Sequence, residues 1–255
     1  MKKPIKILLS VLCVIFACVF VFSGYKLYTI LHGYKVAENL YDGISSKYVT
    51  TAEAKDEQTD PLKDEEKSPI SVDFPSMLEQ NPDVAGWLFS ADTAINYPVA
   101  IGEDNFFYLH RLIDGSYNSS GTLFIDCLCE RDFSGKNTII YGHHMNDGSM
   151  FASIRDYSSQ EYYDAHPKMY LNTPDQNYRV ELFAGYITDA DSDTYTIGFP
   201  SGEAYLEYLN KMRSQSEFKS DVELTADDRI VTLSTCTYEY YDARYVVQGK
   251  LVPIN

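Results

Sequence analysis

Three side chains of this sequence have the types and the setting to cut and remake an amide bond. Cys236 ends the run Thr232-Leu233-Ser234-Thr235-Cys236, Arg244 opens the β-rich run that follows, and His143 stands far upstream, after Ile139-Ile140-Tyr141-Gly142. A thiol is an intrinsically strong nucleophile, an imidazole moves protons near neutral pH, and a guanidinium offers a fixed fork of donors to a developing oxyanion. Together they imply acyl transfer through a thioacyl intermediate. A lone cysteine reads more simply as a packed thiol, because free Cys is among the most buried residue types. The imidazole and the guanidinium tip the balance toward catalysis. With ordinary values near 8.5 for a thiol and 6.5 for an imidazole, about 1% of molecules at pH 7.5 would carry thiolate and imidazolium together, which predicts slow turnover with an optimum between the two. A metal centre or other cofactor is not expected: His143 and His144 are adjacent and diverge, and no set of Asp, Glu and His stands at ligand spacing beside them.

The elements that must bring these groups together are mostly strands. Short runs rich in β-branched and aromatic residues, bounded by turn residues, occur at 86–89, 95–99, 122–128, 138–141, 169–171, 179–188, 229–234 and 245–252. Helices fit at 74–80, where Asp73 caps and Pro75 sits in the first turn, at 150–157, at 160–166 and at 202–214, where Tyr205, Leu209 and Met212 recur on one face. Eight strands with few helices predict a mostly-β protein built on a closed or nearly closed barrel, with the helix at 202–214 ahead of the strand that ends in Cys236.

The N-terminus has a different character. Lys2, Lys3 and Lys6 precede an uncharged apolar stretch from Ile7 to Phe22, and the apolar character resumes through Leu31 after Lys26. That is long enough to span a bilayer, and Val21-Phe22-Ser23-Gly24-Tyr25 is a poor cleavage site. The expected division is a cytoplasmic 1–6, a membrane anchor 7–31, an extracytoplasmic spacer 32–69 and a catalytic domain 70–255. The charged stretch 50–68 has too few large apolar side chains to bury a core, which makes it a tether. With a formal charge of −16 over 255 residues, the chain lacks the basic surface that nucleic acid requires. Cys13 and Cys18 fall in the anchor, and Cys127 and Cys129 are expected on one face of one strand, where they would not close a disulfide.

The stretch Asp228-Arg229-Ile230-Val231-Thr232-Leu233-Ser234-Thr235-Cys236, with Ala243-Arg244-Tyr245-Val246-Val247 after it and Ile139-Ile140-Tyr141-Gly142-His143-His144-Met145 before it, resembles the catalytic strands of the sortases, the cell-surface transpeptidases of Gram-positive bacteria. Asn81-Pro82-Asp83-Val84-Ala85-Gly86-Trp87, Thr93-Ala94-Ile95-Asn96-Tyr97-Pro98-Val99, Asp104-Asn105-Phe106-Phe107-Tyr108-Leu109 and Ser120-Gly121-Thr122-Leu123-Phe124-Ile125-Asp126 narrow the resemblance to class B, over about residues 70–253. It implies a sortase-type barrel and a membrane-anchored enzyme. That enzyme would cleave a C-terminal sorting motif of a secreted protein after threonine and pass the acyl group to an amine of peptidoglycan. It also implies Cys236 as nucleophile, His143 rather than His144 as acid and base, Arg244 at the oxyanion or the substrate backbone, and Asn96, Tyr141 and Ser234 along the peptide groove. Asn96 could equally serve the turn before Pro98, Tyr141 the core, and Ser234 its strand. Two rival readings are a cysteine endopeptidase that uses water as acceptor, and a membrane-tethered binding domain in which Cys236 is inert.

Overall fold

A computed structural model describes residues 3–51, 66–237 and 242–255. It divides into two compact units, residues 1–40 and residues 41–255. The first consists of most of helix α1 (Lys3–Tyr48). From Ile7 on, α1 is long and apolar enough to cross a membrane, and its large side chains from Ile7 to Leu31 face outward. A single helix is the low-energy form for such a stretch in lipid, because it satisfies every backbone N–H and C=O within itself.

The second unit is the barrel. After the end of α1 come β1 (Val49–Thr51), β2 (Ile70–Val72), α2 (Phe74–Gln80), β3 (Val84–Phe89), β4 (Asn96–Ile101), β5 (Leu123–Ile125), β6 (Asn137–Tyr141), α3 (Gln160–Ala165), β7 (Lys168–Asn172), β8 (Asn177–Asp189), α4 (Gly202–Gln215), β9 (Ile230–Cys236) and β10 (Ala243–Ile254). Eight of these strands close in the order β10-β8-β7-β3-β4-β5-β6-β9, with β4·β5 and β6·β9 parallel and the other pairs antiparallel. Closure leaves the barrel no open edge. Caps fix where the helices begin: Asp73 accepts from Ser76 N–H, Ser159 from Tyr162 N–H and Ser201 from Ala204 N–H. The predicted helix at 150–157 is instead a run of 3-10 turns at Ala152–Ser158.

Within 32–69, residues 52–65 lie outside the described residues; α1 runs on to Tyr48 and β1 pairs with β2. Glu66 receives ion pairs from Lys168 at 2.7 Å and from Arg179. The strand predicted over 122–128 is only three residues long, so Cys127 and Cys129 lie beyond it in a turn, where Cys129 N–H donates to Asp126 O at 2.8 Å. Both are free thiols, and burial raises that of Cys129 to about 11.

The insertion between β8 and β9 covers one side of the barrel. Tyr205, Tyr208, Leu209 and Met212 of α4 pack on Phe183, Ala184 and Tyr186 of β8, Ile230 of β9 and Val246 of β10. Under that cover lies a buried polar network. Thr232 Oγ1 donates to Asn137 Oδ1 at 2.8 Å, Gln248 Nε2 donates to Thr232 Oγ1 and to Tyr208 OH at 2.9 Å each, and Tyr208 OH donates to Thr194 O at 2.7 Å. Because unsatisfied polar groups are costly in an interior, this network admits few alternative registers and pins the 194–196 segment to three strands.

Candidate active site

Cys236, His143 and Arg244 all lie at one end of the barrel, and strand register explains why. Arg244 pairs directly with Cys236 across β10·β9, a relation that places the two side chains on the same face with Cβ atoms about 5 Å apart. On the other side of β9, Tyr141 pairs with Ser234 and Gly142 N–H donates to Ser234 O at 3.1 Å. His143 follows two residues after Tyr141, past the end of β6 and at the same end of the barrel as Cys236. Cys236 is exposed although the six preceding residues of β9 are buried, so the sulfur sits where the strand emerges from the core.

Arg244 is anchored locally. Its Nη2 donates to Asp242 Oδ1 at 2.8 Å and its Nη1 to Ala243 O at 3.1 Å, which fixes the plane of the guanidinium. The His143 ring is held from the opposite side, with Nε2 lying 2.7 Å from Leu109 O. A carbonyl can only accept, so Nε2 carries the hydrogen and Nδ1 is the ring atom left for chemistry. His110 stacks on His143 at 5.9 Å between centroids, 21° from parallel. Burial pulls the His143 imidazole below its ordinary value; the bond to Leu109 O opposes this and the neighbouring His110 adds to it.

A pH profile should report that balance. If the thiolate and the imidazolium must coexist, activity rises with pH until the imidazole titrates, is level until the thiol titrates, and then falls. The acid limb therefore marks His143. A depressed imidazole moves that limb below about 6.5 and lowers the plateau, since fewer molecules carry both charges. His110→Ala removes the neighbouring ring that lowers the His143 imidazole and should move the limb upward. A kcat/KM profile with its acid limb above 7 would contradict this assignment.

Gly142 is required by packing. A Cβ there would lie 2.5 Å from Leu123 Cδ2 and 2.5 Å from Phe151 Cδ2, so the strand end carrying His143 passes close against two buried side chains. Gly142→Val is expected to destabilise by about 1–3 kcal/mol through overpacking and to displace His143. Thermal unfolding together with turnover at a temperature where the variant stays folded would check both effects.

The three groove candidates fare differently. Ser234 lies beneath Cys236 on β9, and its Oγ is 2.8 Å from the Tyr195 hydroxyl. Tyr141 stacks on Tyr195 at 6.2 Å and donates to Asp126 Oδ2 at 2.9 Å, a carboxylate that also accepts from Asn105 Nδ2 at 3.0 Å. Burial and that carboxylate push the Tyr141 phenol upward. Asn96 shares this end of the barrel, but β5 and β6 stand between its strand and β9. Its amide is engaged with the scaffold: Oδ1 accepts from Trp87 Nε1–H at 2.7 Å and Nδ2 donates to Ser45 Oγ at 3.0 Å. His144 forms an isolated bridge with Met150.

Tyr195 is the residue the sequence reading missed. It arrives from the insertion, and its phenol is raised to about 12, chiefly by burial, while it feels the charges of both Arg244 and Cys236. No motif marks it; the only available signal was that the insertion precedes the cysteine strand. Among the described residues no cluster of three or more His, Cys, Asp or Glu is grouped to hold a metal ion.

Residues 122–252 match the sortase domain family. Over 239 residues the chain is 38% identical to sortase B of Listeria monocytogenes, covering 92% of each protein. The chain belongs to the class B sortases. Sortase B of Staphylococcus aureus is 28% identical over 89% of this chain and 93% of its own length. A crystal structure of Bacillus anthracis sortase B superposes with a TM-score of 0.74 at 31% identity, over 88% of this chain and all of that one. The S. aureus sortase B–substrate complex does so with a TM-score of 0.68 at 32% identity, over 71% and 85% of the two chains. This sortase is accordingly a cysteine transpeptidase of the cell-wall anchoring family, on the closed barrel expected of it.

Proposed function

We propose that this sortase cleaves a C-terminal sorting motif of a secreted protein after threonine and transfers the new acyl end to an amine of the cell wall. The Cys236 thiolate adds to the threonine carbonyl carbon, and Arg244 donates hydrogen bonds to the oxygen on which the negative charge develops. Collapse of the tetrahedral species breaks the C–N bond, with His143 Nδ1–H supplying the proton to the departing amine and leaving a thioester on Cys236. The incoming amine then loses its proton to neutral Nδ1 as it attacks, and the thiolate leaves. Tyr141 lines the peptide groove in this reading, with Ser234, bonded to Tyr195, and Asn96, bonded to Trp87 and Ser45, supporting its walls. Residues 7–31 anchor the enzyme, with Lys2, Lys3 and Lys6 on the cytoplasmic side and residues 70–255 outside as the catalytic domain. The positive-inside asymmetry of the flanks sets that orientation.

The observation that carries the proposal is the pairing of Arg244 with Cys236 on one side of β9, while β6, which pairs with the other side, ends two residues before His143. The test is to incubate the enzyme with a library of pentapeptides, with and without candidate amines, and to follow products and intact protein by mass spectrometry. An acyl adduct on Cys236 that resolves to an amine-linked product is expected. Peptide cleavage that never labels Cys236 would refute the scheme.

A further inference from the structure

Two chains of contacts lead from the end of α1 to His143, and both begin at Tyr41. Tyr41 is buried in the barrel unit. Its hydroxyl donates to Gly121 O at 2.5 Å and lies 3.0 Å from Thr122 Oγ1, which in turn donates to Arg111 O at 2.8 Å. Thr122 N–H donates to Tyr108 O at 3.0 Å. Gly121, at φ +61°, packs so closely on the same turn that a Cβ would lie 2.8 Å from Leu109 O, the carbonyl that accepts from His143 Nε2–H. The second chain runs through the ring. Tyr41 meets Tyr97 edge to face at 5.2 Å, Tyr97 OH accepts from Met150 N–H at 3.2 Å, and the next residue, Phe151, donates its N–H to His143 O at 3.0 Å. One phenol thus braces the acceptor of the imidazole and, separately, the backbone that carries it.

From this convergence we infer that Tyr41 is a positioning residue for the transpeptidation, so that the end of the N-terminal helix belongs to the catalytic apparatus. The inference rests on the reading of His143 as acid and base. Burial raises the Tyr41 phenol, so it stays a neutral, constant donor across the working range. The titratable side chains acting on it include Tyr97 and Asp114, and those acting on His143 include His110. Loosening the turn at Leu109 weakens a bond that favours imidazolium. The acid limb should then move to lower pH.

The test uses the full chain in detergent or nanodiscs, with the peptide and amine found active above. Tyr41→Phe keeps the ring contact and removes only the hydroxyl; His143→Ala serves as reference. For Tyr41→Phe we expect kcat to fall about tenfold, a fraction of the 10²–10⁴ that a positioned acid–base group supplies. KM should change less than twofold, the acid limb should shift down, and the ¹⁵N-imidazole NMR signal of His143 should move toward averaged tautomers. If His143→Ala is inactive while Tyr41→Phe matches wild type in kcat, acid limb and NMR signal, the inference falls and the site reading stands. If His143→Ala remains fully active, the site reading falls and takes this inference with it. A decrement in Tyr41→Phe accompanied by an unmoved acid limb and an unmoved imidazole signal would assign Tyr41 to stability alone and overturn the positioning role.

Discussion

Cys236→Ala should abolish both amine transfer and peptide hydrolysis, by on the order of 10³-fold or more, and leave thermal unfolding unchanged. The two halves of that expectation have one cause. The side chain is exposed at the end of a strand whose other residues are buried, so removing the sulfur opens no cavity and exposed substitutions of this kind cost within about 0.5 kcal/mol. Its whole effect is therefore on chemistry. Cys236→Ser is the sterner comparison, because it keeps the shape and a polar atom yet offers a group that is not ionised near neutral pH. It depends entirely on a base to become nucleophilic, and His143 has only Nδ1 to offer. The serine variant should be nearly as inactive as the alanine one, while still binding peptide. If Cys236→Ala retained cleavage of the sorting peptide, the nucleophile would have to be sought elsewhere and the scheme built on residue 236 would fail.

The parts of this molecule that could be read from its sequence are those whose information is local. The runs ending at Cys236 and Tyr141 are dense in β-branched residues and stop abruptly, so the strands, and with them the groups at their ends, were visible in outline. The helix at Gly202–Gln215 was legible because Tyr205, Leu209 and Met212 are spaced for one face. Adjacency was not legible. The parallel pairing of β6 with β9, and the registry of Arg244 with Cys236, are long-range choices that no spacing records; only the family resemblance pointed to them. Tyr195 escaped notice because stacking on Tyr141 and a bond to Ser234 require nearness in space and impose no pattern along the chain. Composition can rule out a core within 50–68, but it does not record that β1 pairs with β2 through main-chain groups that every residue possesses, or that Glu66 is held by two cations. Asn96 illustrates the reverse case: its position matched a groove residue, while Trp87 and Ser45 occupy its amide.

Arg244→Lys should lower kcat by about 10²–10³-fold, the usual effect of losing one well-placed donor to a developing oxyanion, with a smaller change in KM. The substitution keeps the positive charge, so the argument concerns geometry. In the native site one nitrogen is committed to Asp242 and another to the Ala243 carbonyl, and the planar fork still has N–H groups to present toward the oxygen of the carbonyl that Cys236 would attack. A lysine ammonium is a single point on a flexible stem. It can stay with Asp242 or turn to the substrate, and with either choice it loses the preorganisation that makes the interaction stronger in the transition state than in the ground state. Stability should barely register the change, because the Asp242 pair is largely solvent-exposed on the carboxylate side and such pairs contribute roughly 0–1 kcal/mol. Because the charge is conserved, the acid limb set by His143 should stay where it is while the plateau drops. Releasing the anchor instead, with Asp242→Ala, leaves the guanidinium intact but mobile and should produce a smaller decrement of the same kind. A lysine variant within about threefold of wild type would show that Arg244 acts as a bulk positive charge, and a loss confined to KM would move it from the oxyanion to the substrate backbone.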